Sequence, residues 1–181
     1  PWIFLFLIPA LTMRLWAEEF RQGTIETLLT SSASLLQSVL AKALGGTLFL
    51  IMALLLTFPL ALSLSLIGNL DWGVVIAAYM GALFLGMSYM ALRLFLSAIT
   101  SNQIVAFILS VMVMFAFFIL GEQIVVYAMP GSVSSVFEFI GLGAHYQSMT
   151  RGVIDSRDII YYCSFIGFFL FLNMQVLKTK N

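Results

Sequence analysis

The sequence predicts an all-α fold, a polytopic integral membrane bundle of helices. Of its 181 residues, 62% are hydrophobic and 9% are charged, whereas a typical soluble domain carries about 25% charged residues. So few charged side chains cannot cover a surface that faces water, and most of the chain must therefore face lipid. The apolar residues also fall into long runs, such as the one from Ala43 to Ile67, which contains no charged residue.

Five membrane spans are predicted, and together they form one transmembrane domain over residues 1–181. They cover about residues 1–17, 40–67, 73–97, 103–121 and 158–177. The first run is shorter than the roughly 20 apolar residues that a span requires, so it is interpreted as an incomplete span. Arg93 stands near the end of the third span, and we expect its long side chain to extend to the lipid headgroups.

The distribution of basic residues orients these spans, because cytoplasmic loops carry an excess of Lys and Arg. The side predicted to be cytoplasmic holds Arg14, Arg21, Lys42, Arg93, Lys178 and Lys180. The opposite side holds Arg151 and Arg157, within an outer segment of residues 121–157. Inside that segment, residues 132–140 are predicted to form a short interfacial or re-entrant helix.

The cytoplasmic segment from Arg14 to Lys42 holds six of the sixteen charged residues, although it separates two apolar runs. From Thr24 onward its apolar residues recur at helical spacing, which predicts an amphipathic helix on the membrane surface. Glu18, Glu19 and Arg21 precede this helix. These charges either mark the boundary at which the chain leaves lipid or belong to a docking surface for a cytosolic partner.

Polar residues on the predicted outer side are further candidates. His145 and Tyr146, followed by Arg151 and Asp155, form either a site or a set of hydrogen bonds and ion pairs that hold the outer loop together. One histidine cannot build a metal site alone. Asp155 or Ser156 is expected to cap the last helix.

Two glutamates lie near the predicted outer boundary of the membrane. Ionisable residues close to the bilayer are candidates for substrate contact, and Glu122 and Glu138 both fit this description. Both are also close enough to the interface to be solvated, which favours a structural role for them.

Composition excludes several other classes of site. The net charge of +0 provides no basic surface for nucleic acid. The single cysteine, Cys163, rules out an internal disulfide and a cysteine-based metal cluster. The sequence contains no P-loop, so the chain does not bind ATP by that motif. We therefore expect no catalytic residue, no metal and no cofactor in this chain, and no nucleic-acid partner.

Three stretches of the sequence resemble the ABC-2-type transporter permeases, of the group that includes gliding-motility-type and Nos-type permeases. The first runs from PALTMR at 9–14 through AEE at 17–19 to GTIETLLT at 23–30. The second is LSAITSNQIVA at 96–106, and the third combines HYQS at 145–148 with RGVIDSRD at 151–158. The similarity extends over nearly the whole chain.

The resemblance implies six spans, so that one span would precede Pro1. It also implies that residues of about 24–34 form a coupling helix that contacts a separate cytosolic ABC ATPase subunit, which hydrolyses the ATP. The contact residues implied in this way are Thr24, Ile25, Glu26, Leu28, Leu29 and Thr30.

The function implied by the resemblance is that of a permease subunit in an ATP-driven exporter of the bacterial cytoplasmic (inner) membrane. A second permease subunit, identical or related, would be its partner in the lipid membrane. Two alternatives remain at this point. One is a membrane scaffold that anchors a cytosolic partner without transporting anything. The other is an intramembrane protease built on Glu18 and Glu19, which would need a histidine beside them, whereas His145 is predicted on the opposite side.

Overall fold

Helices make up nearly all of the part of the chain that the computed structural model describes, which comprises residues 1–12, 16, 19, 23, 34–122, 125 and 131–179. The helices within these residues are α1 (Trp2–Thr12), α2 (Leu35–Ile67), α3 (Trp72–Ile99), α4 (Gln103–Ile119), α5 (Gly131–Ile140), α6 (Leu142–Thr150) and α7 (Ser156–Thr179). The predicted all-α fold class is confirmed.

Three of these helices, α2, α3 and α7, are long and apolar enough to cross a membrane. They contain 33, 28 and 24 residues, and about 20 residues suffice to span the hydrocarbon core. The helix α4 is apolar but has 17 residues, and α1 has 11. A helical membrane bundle, as the composition predicts, is therefore confirmed.

Polar side chains cap the N-termini of α2, α3, α4 and α7. Ser34 and Gln37 form a reciprocal capping box at the start of α2. Asp71 and Asn102 each accept hydrogen bonds from two backbone amides of the following helix, α3 and α4 respectively. Asp155 Oδ1 accepts a hydrogen bond from the amide of Arg157 at the start of α7. Each cap satisfies amides that the first helical turn leaves without a partner, and of the two expected caps for the last helix Asp155 fills this role.

The central helix of the bundle is α3, which contacts α1, α2, α4, α6 and α7. By contrast α2 lies at the periphery, and its buried residues are Val39, Leu50 and Ala61. Close packing of α2 on α3 depends on a glycine, because a Cβ on Gly86 would lie 2.3 Å from Leu50 Cδ2. The ends of the bundle at which α3 begins and ends are called the outer and the cytoplasmic end, after the predicted orientation.

The helices α5 and α6 form a hairpin that enters the bundle from its outer end. Met149 of α6 packs against Gly81 of α3, and Gly81 lies nine residues, or about 14 Å, along α3 from Trp72. At the tip of the hairpin, Gly141 approaches the backbone of Gly121 so closely that a Cβ on Gly141 would lie 2.1 Å from the Gly121 nitrogen. This depth favours the re-entrant alternative for the predicted short helix.

The prediction that Arg93 reaches the headgroups is wrong. Its side chain is fully buried. Its Nη1 donates hydrogen bonds to Ala106 O and to Ser110 Oγ, and both donor–acceptor distances are 3.0 Å. A helical side chain leans toward the N-terminus of its own helix, and for Arg93 this direction leads away from the nearby cytoplasmic end and into the bundle. Its Nε and Nη2 have no hydrogen-bond partner among the described residues.

Candidate functional site

The residues predicted to contact an ATPase lie outside the described part of the chain. These are Thr24, Ile25, Glu26, Leu28, Leu29 and Thr30, and the predicted boundary residues Glu18 and Arg21 lie outside it as well. The described residues around them, Trp16 and Glu19 on one side and the chain from Ser34 on the other, show how this segment is attached to the bundle.

Trp16 attaches the segment to the central helix. Its side chain is fully buried, and its amide donates a hydrogen bond to Ser97 Oγ of α3 over 3.2 Å. The apolar side chains of its buried cluster come from three helices and are Val39, Leu94, Ala98 and Leu177. The chain therefore enters the cytoplasmic segment from a fixed point between α2, α3 and α7.

An ion pair connects the beginning of this segment to its end. Glu19 Oε1 lies 2.5 Å from Lys42 Nζ on α2, and the two side chains are 22% and 16% exposed. The same ammonium group lies 4.4 Å from the centre of the Trp16 ring, where the negative face of the indole attracts a cation. Of the predicted boundary charges, Glu19 is the one that the structure describes, and it points back toward the bundle.

These contacts close the segment into a loop with two attachment points. The first is Trp16 on α3. The second is the first two turns of α2, which start at the capped Ser34 and include Lys42. Within the loop, Gly23 has a φ of 70°, a left-handed backbone conformation that glycine adopts without steric cost.

At the outer end, His145 of α6 connects three helices. Its Nδ1 lies 2.7 Å from Asp158 Oδ1 at the start of α7, and its Nε2 lies 3.1 Å from the carbonyl oxygen of Phe139 on α5. The imidazole also stacks on Tyr161, with 3.9 Å between the ring centres. The sequence grouped His145 with Arg151 and Asp155. The structure instead pairs His145 with Asp158.

The two outer glutamates differ in their surroundings. Glu122 is partly buried and accepts a hydrogen bond from Gln147 Nε2 over 2.9 Å. Glu138 is exposed and lines an open pocket between α5, α6 and α7. Tyr146 lies beside Gln147 on α6, and its ring packs against the apolar core. This burial raises the pKa of the Tyr146 phenol above its ordinary value.

Among the described residues, the structure does not bring Glu19 and His145 together as a protease site would require, and Glu18 lies outside the described part of the chain. Glu19 pairs with Lys42, whose ammonium group lies against the ring of Trp16, and Trp16 belongs to the same buried cluster as Leu177. His145 contacts Asp158, which lies 19 residues before Leu177 on the same helix α7. These points are about 28 Å apart along the helix. The described residues also include no group of three or more His, Cys, Asp or Glu side chains able to hold a metal ion.

Sequence reasoning missed several buried polar residues inside the bundle. Tyr89 of α3 and Asn173 of α7 are fully buried, and neither the Tyr89 hydroxyl nor the Asn173 carboxamide has a hydrogen-bond partner among the described residues. The helical spacing of Asn173 could have indicated this burial, because it lies four residues from both Phe169 and Leu177, which are buried on the same face of α7.

Comparison with known proteins addresses the identity of this bundle. The model of the family described as ABC-2 family transporter protein matches residues 3–176. No curated protein and no solved structure matches the chain. The match covers nearly the whole sequence and agrees with the helical membrane architecture, and the resemblance to ABC-2-type permeases is thereby confirmed, whereas the gliding-motility-type or Nos-type group remains a prediction. The chain belongs to the ABC-2 family of transporter proteins and is a multi-pass membrane permease of an ABC transporter.

Proposed function

We propose that this chain is the permease subunit of an ATP-driven exporter, and that residues of about 24–34 form the coupling helix that receives force from a cytosolic ATPase. ABC-2 permeases normally act with an ABC ATPase in the membrane, and this chain contains no P-loop of its own. A second permease subunit, identical or related, completes the transporter in the bacterial inner membrane. In this proposal ATP is hydrolysed by the separate ATPase chain.

The observation that carries the proposal is the double attachment of the loop that contains the coupling residues. One attachment is the buried Trp16, which is hydrogen-bonded to Ser97 of the central helix. The other is the capped start of α2 at Ser34. A force applied between these points acts on two membrane helices at once, since α2 and α3 are each continuous over more than 25 residues.

The central position of α3 provides a route from the cytoplasmic end to the outer end. Besides α2, this helix contacts α1, α4, α6 and α7. A tilt of its cytoplasmic end therefore displaces α6, which packs on the outer half of α3 through Met149 and Gly81. Rigid-body movement of packed helices is a common way in which a local force opens a distant site, and here it would open the bundle outward.

Charge reversal at Glu26 and the substitution Leu29→Asp test the coupling helix. In membranes that contain the partner ATPase, we expect Glu26→Lys and Leu29→Asp to abolish both the stimulation of ATP hydrolysis and transport. The first variant reverses a charge in the proposed contact, and the second introduces a charge at an apolar position of that contact. Membrane insertion and the amount of protein should remain unchanged, since neither residue lies in a predicted span. Arg157→Glu is the matched control, because it reverses an exposed charge at the outer end.

The results distinguish coupling from anchoring. Normal ATP hydrolysis and transport in both variants would mean that residues 24–34 are not the coupling site. A scaffold would be indicated if a P-loop ATPase co-purifies with the wild-type chain but hydrolyses ATP equally well without it. An ATPase activity that requires the wild-type chain and fails with Glu26→Lys supports the permease proposal.

A further inference from the structure

An open pocket lies at the outer end of the bundle, where α5, α6 and α7 meet. Its volume is about 320 Å³. Two carboxylates, an imidazole, two hydroxyls and a phenyl ring line it, from Glu138, Asp158, His145, Ser135, Ser148 and Phe139. This combination of acidic groups and an aromatic ring differs from the apolar grooves elsewhere on the bundle.

Asp158 provides a buried carboxylate with spare capacity to accept hydrogen bonds. The residue is 6% exposed, and its Oδ1 contacts His145 Nδ1, whereas its Oδ2 has no partner among the described residues. A carboxylate oxygen without a donor is costly when buried. Because rotation about χ2 of Asp is broad, a small turn of the carboxylate directs an oxygen to a donor in the pocket.

The other side chains that line the pocket determine which charge a bound ligand should carry. Both ring nitrogens of His145 face oxygen atoms, Asp158 Oδ1 and Phe139 O, so His145 offers no free nitrogen to a metal ion. The carboxyl groups of Glu138 and Asp158 outnumber the one basic side chain that lines the pocket, His145, so the lining favours a positively charged ligand. The pocket therefore suits a monovalent cation that has N–H donors.

The side of the pocket that faces away from the bundle indicates where this cation comes from. Phe139 lines the pocket and is 67% exposed, and its neighbour Val136 is 54% exposed on the same helix. The face of an aromatic ring attracts cations, and an exposed apolar surface beside membrane-spanning α7 is suited to acyl chains. We propose that this pocket binds the ammonium headgroup of an ethanolamine-class membrane lipid. This inference is independent of the direction of transport and of the coupling helix.

Lipids that differ in the number of N–H groups test the proposal. The full chain, purified in detergent, would be mixed with phosphatidylethanolamine, its N,N-dimethyl derivative or phosphatidylcholine, and the retained lipid counted by native mass spectrometry. We expect phosphatidylethanolamine to be retained about tenfold better than phosphatidylcholine, since a hydrogen bond to a charged group is worth about one order of magnitude in affinity or more. The dimethyl lipid should fall between them.

Substitutions in the pocket connect this preference to its residues. Glu138→Gln and Asp158→Asn should each remove most of the discrimination. Glu138 is exposed on a helix surface, so the first variant tests the charge without disturbing packing. Asp155→Asn is the matched control, because it makes the same chemical change three residues away, outside the pocket, and asparagine also caps helices well.

Lipid retention by the wild type and the three variants shows whether the pocket binds an ethanolamine headgroup. Equal retention of the three lipids overturns the proposal, and so does full discrimination in Glu138→Gln and Asp158→Asn. A thermal shift with free ethanolamine, without any preference among the lipids, would assign the pocket to a small soluble amine and overturn the lipid assignment. Graded retention that disappears in both pocket variants and persists in Asp155→Asn supports it.

Discussion

Arg93 Nη1 donates a hydrogen bond to Ser110 Oγ over 3.0 Å, and this buried contact joins the central helix α3 to α4. Removing the hydroxyl leaves a charged group with one acceptor fewer, so we expect Ser110→Ala to lower the free energy of unfolding by about 1–3 kcal/mol. Arg93→Met keeps a long stem without the charge, so that the variant buries no guanidinium that needs hydrogen-bond acceptors.

A double-mutant cycle checks this interpretation. Unfolding of the chain would be followed in mixed micelles of increasing denaturing detergent for each variant. In the Arg93→Met background, Ser110→Ala should cost little, because the guanidinium that needs the hydroxyl is absent. An equal cost of Ser110→Ala in both backgrounds would show that the hydroxyl does not act through Arg93.

The close approach of Gly141 and Gly121 leads to a second prediction. A Cβ on Gly141 would lie 2.1 Å from the Gly121 nitrogen and 2.2 Å from its Cα, and backbone atoms cannot move aside as a flexible side chain can. We expect Gly141→Ala to displace the α5–α6 hairpin and to destabilise the chain by about 1–3 kcal/mol or more. The φ of Gly141 is −73°, so backbone strain does not contribute to this effect.

Gly167→Ala is the matched control for the hairpin. A Cβ on Gly167, within α7, meets nothing within 4 Å. Alanine is also the better helix former, by up to about 1 kcal/mol. Thermal stability, measured as the fraction of monodisperse protein after heating, should therefore fall in Gly141→Ala and stay constant or rise in Gly167→Ala. A similar loss in both variants would contradict the steric explanation.

Trp16 and Glu19 lead to a third prediction, about the attachment of the cytoplasmic segment. Trp16 is fully buried between three helices, and truncating such a residue costs about 3–5 kcal/mol. The side chains of Glu19 and Lys42 are 22% and 16% exposed, and Glu19→Gln keeps a side-chain oxygen that can accept a hydrogen bond from Lys42 Nζ, so this variant loses the charge of Glu19 but not its contact. Trp16→Ala should therefore destabilise the chain far more than Glu19→Gln in the same thermal assay. Equal losses would mean that the ion pair, and not the indole, attaches the segment.

Local signals in the sequence predicted much of this fold. A long apolar run without charge identifies α2, and Asp155 identifies the start of α7, because an apolar run and a capping side chain act on their immediate neighbours. The polar composition of residues 14–42 predicts that this segment leaves the membrane. The coupling residues 24–30 within it remain predictions.

Features that depend on distant residues could not be predicted in this way. The position of Arg93 in the interior depends on Ser110, which follows it by 17 residues and lies on another helix. The depth of the hairpin depends on contact between two glycine backbones, Gly121 and Gly141, which leaves no pattern in the hydropathy. The sequence grouped His145 with Arg151 and Asp155 because they are neighbours in the chain, whereas its partner Asp158 is selected by the packing of α6 on α7.

The orientation of the chain in the membrane can be tested by cysteine labelling, because Cys163 is the single cysteine. Cys163→Ser removes the thiol, and new thiols can then be introduced at exposed turns on opposite ends of the bundle by Asn69→Cys and Ser101→Cys. The second turn lies at the end of the bundle that is predicted to hold most of the basic residues, so it is predicted to be cytoplasmic. A membrane-impermeant maleimide should therefore label Asn69→Cys in intact cells and Ser101→Cys after permeabilisation. The opposite pattern would place residues 24–34 outside the cell, beyond the reach of a cytosolic ATPase, and would overturn the coupling proposal.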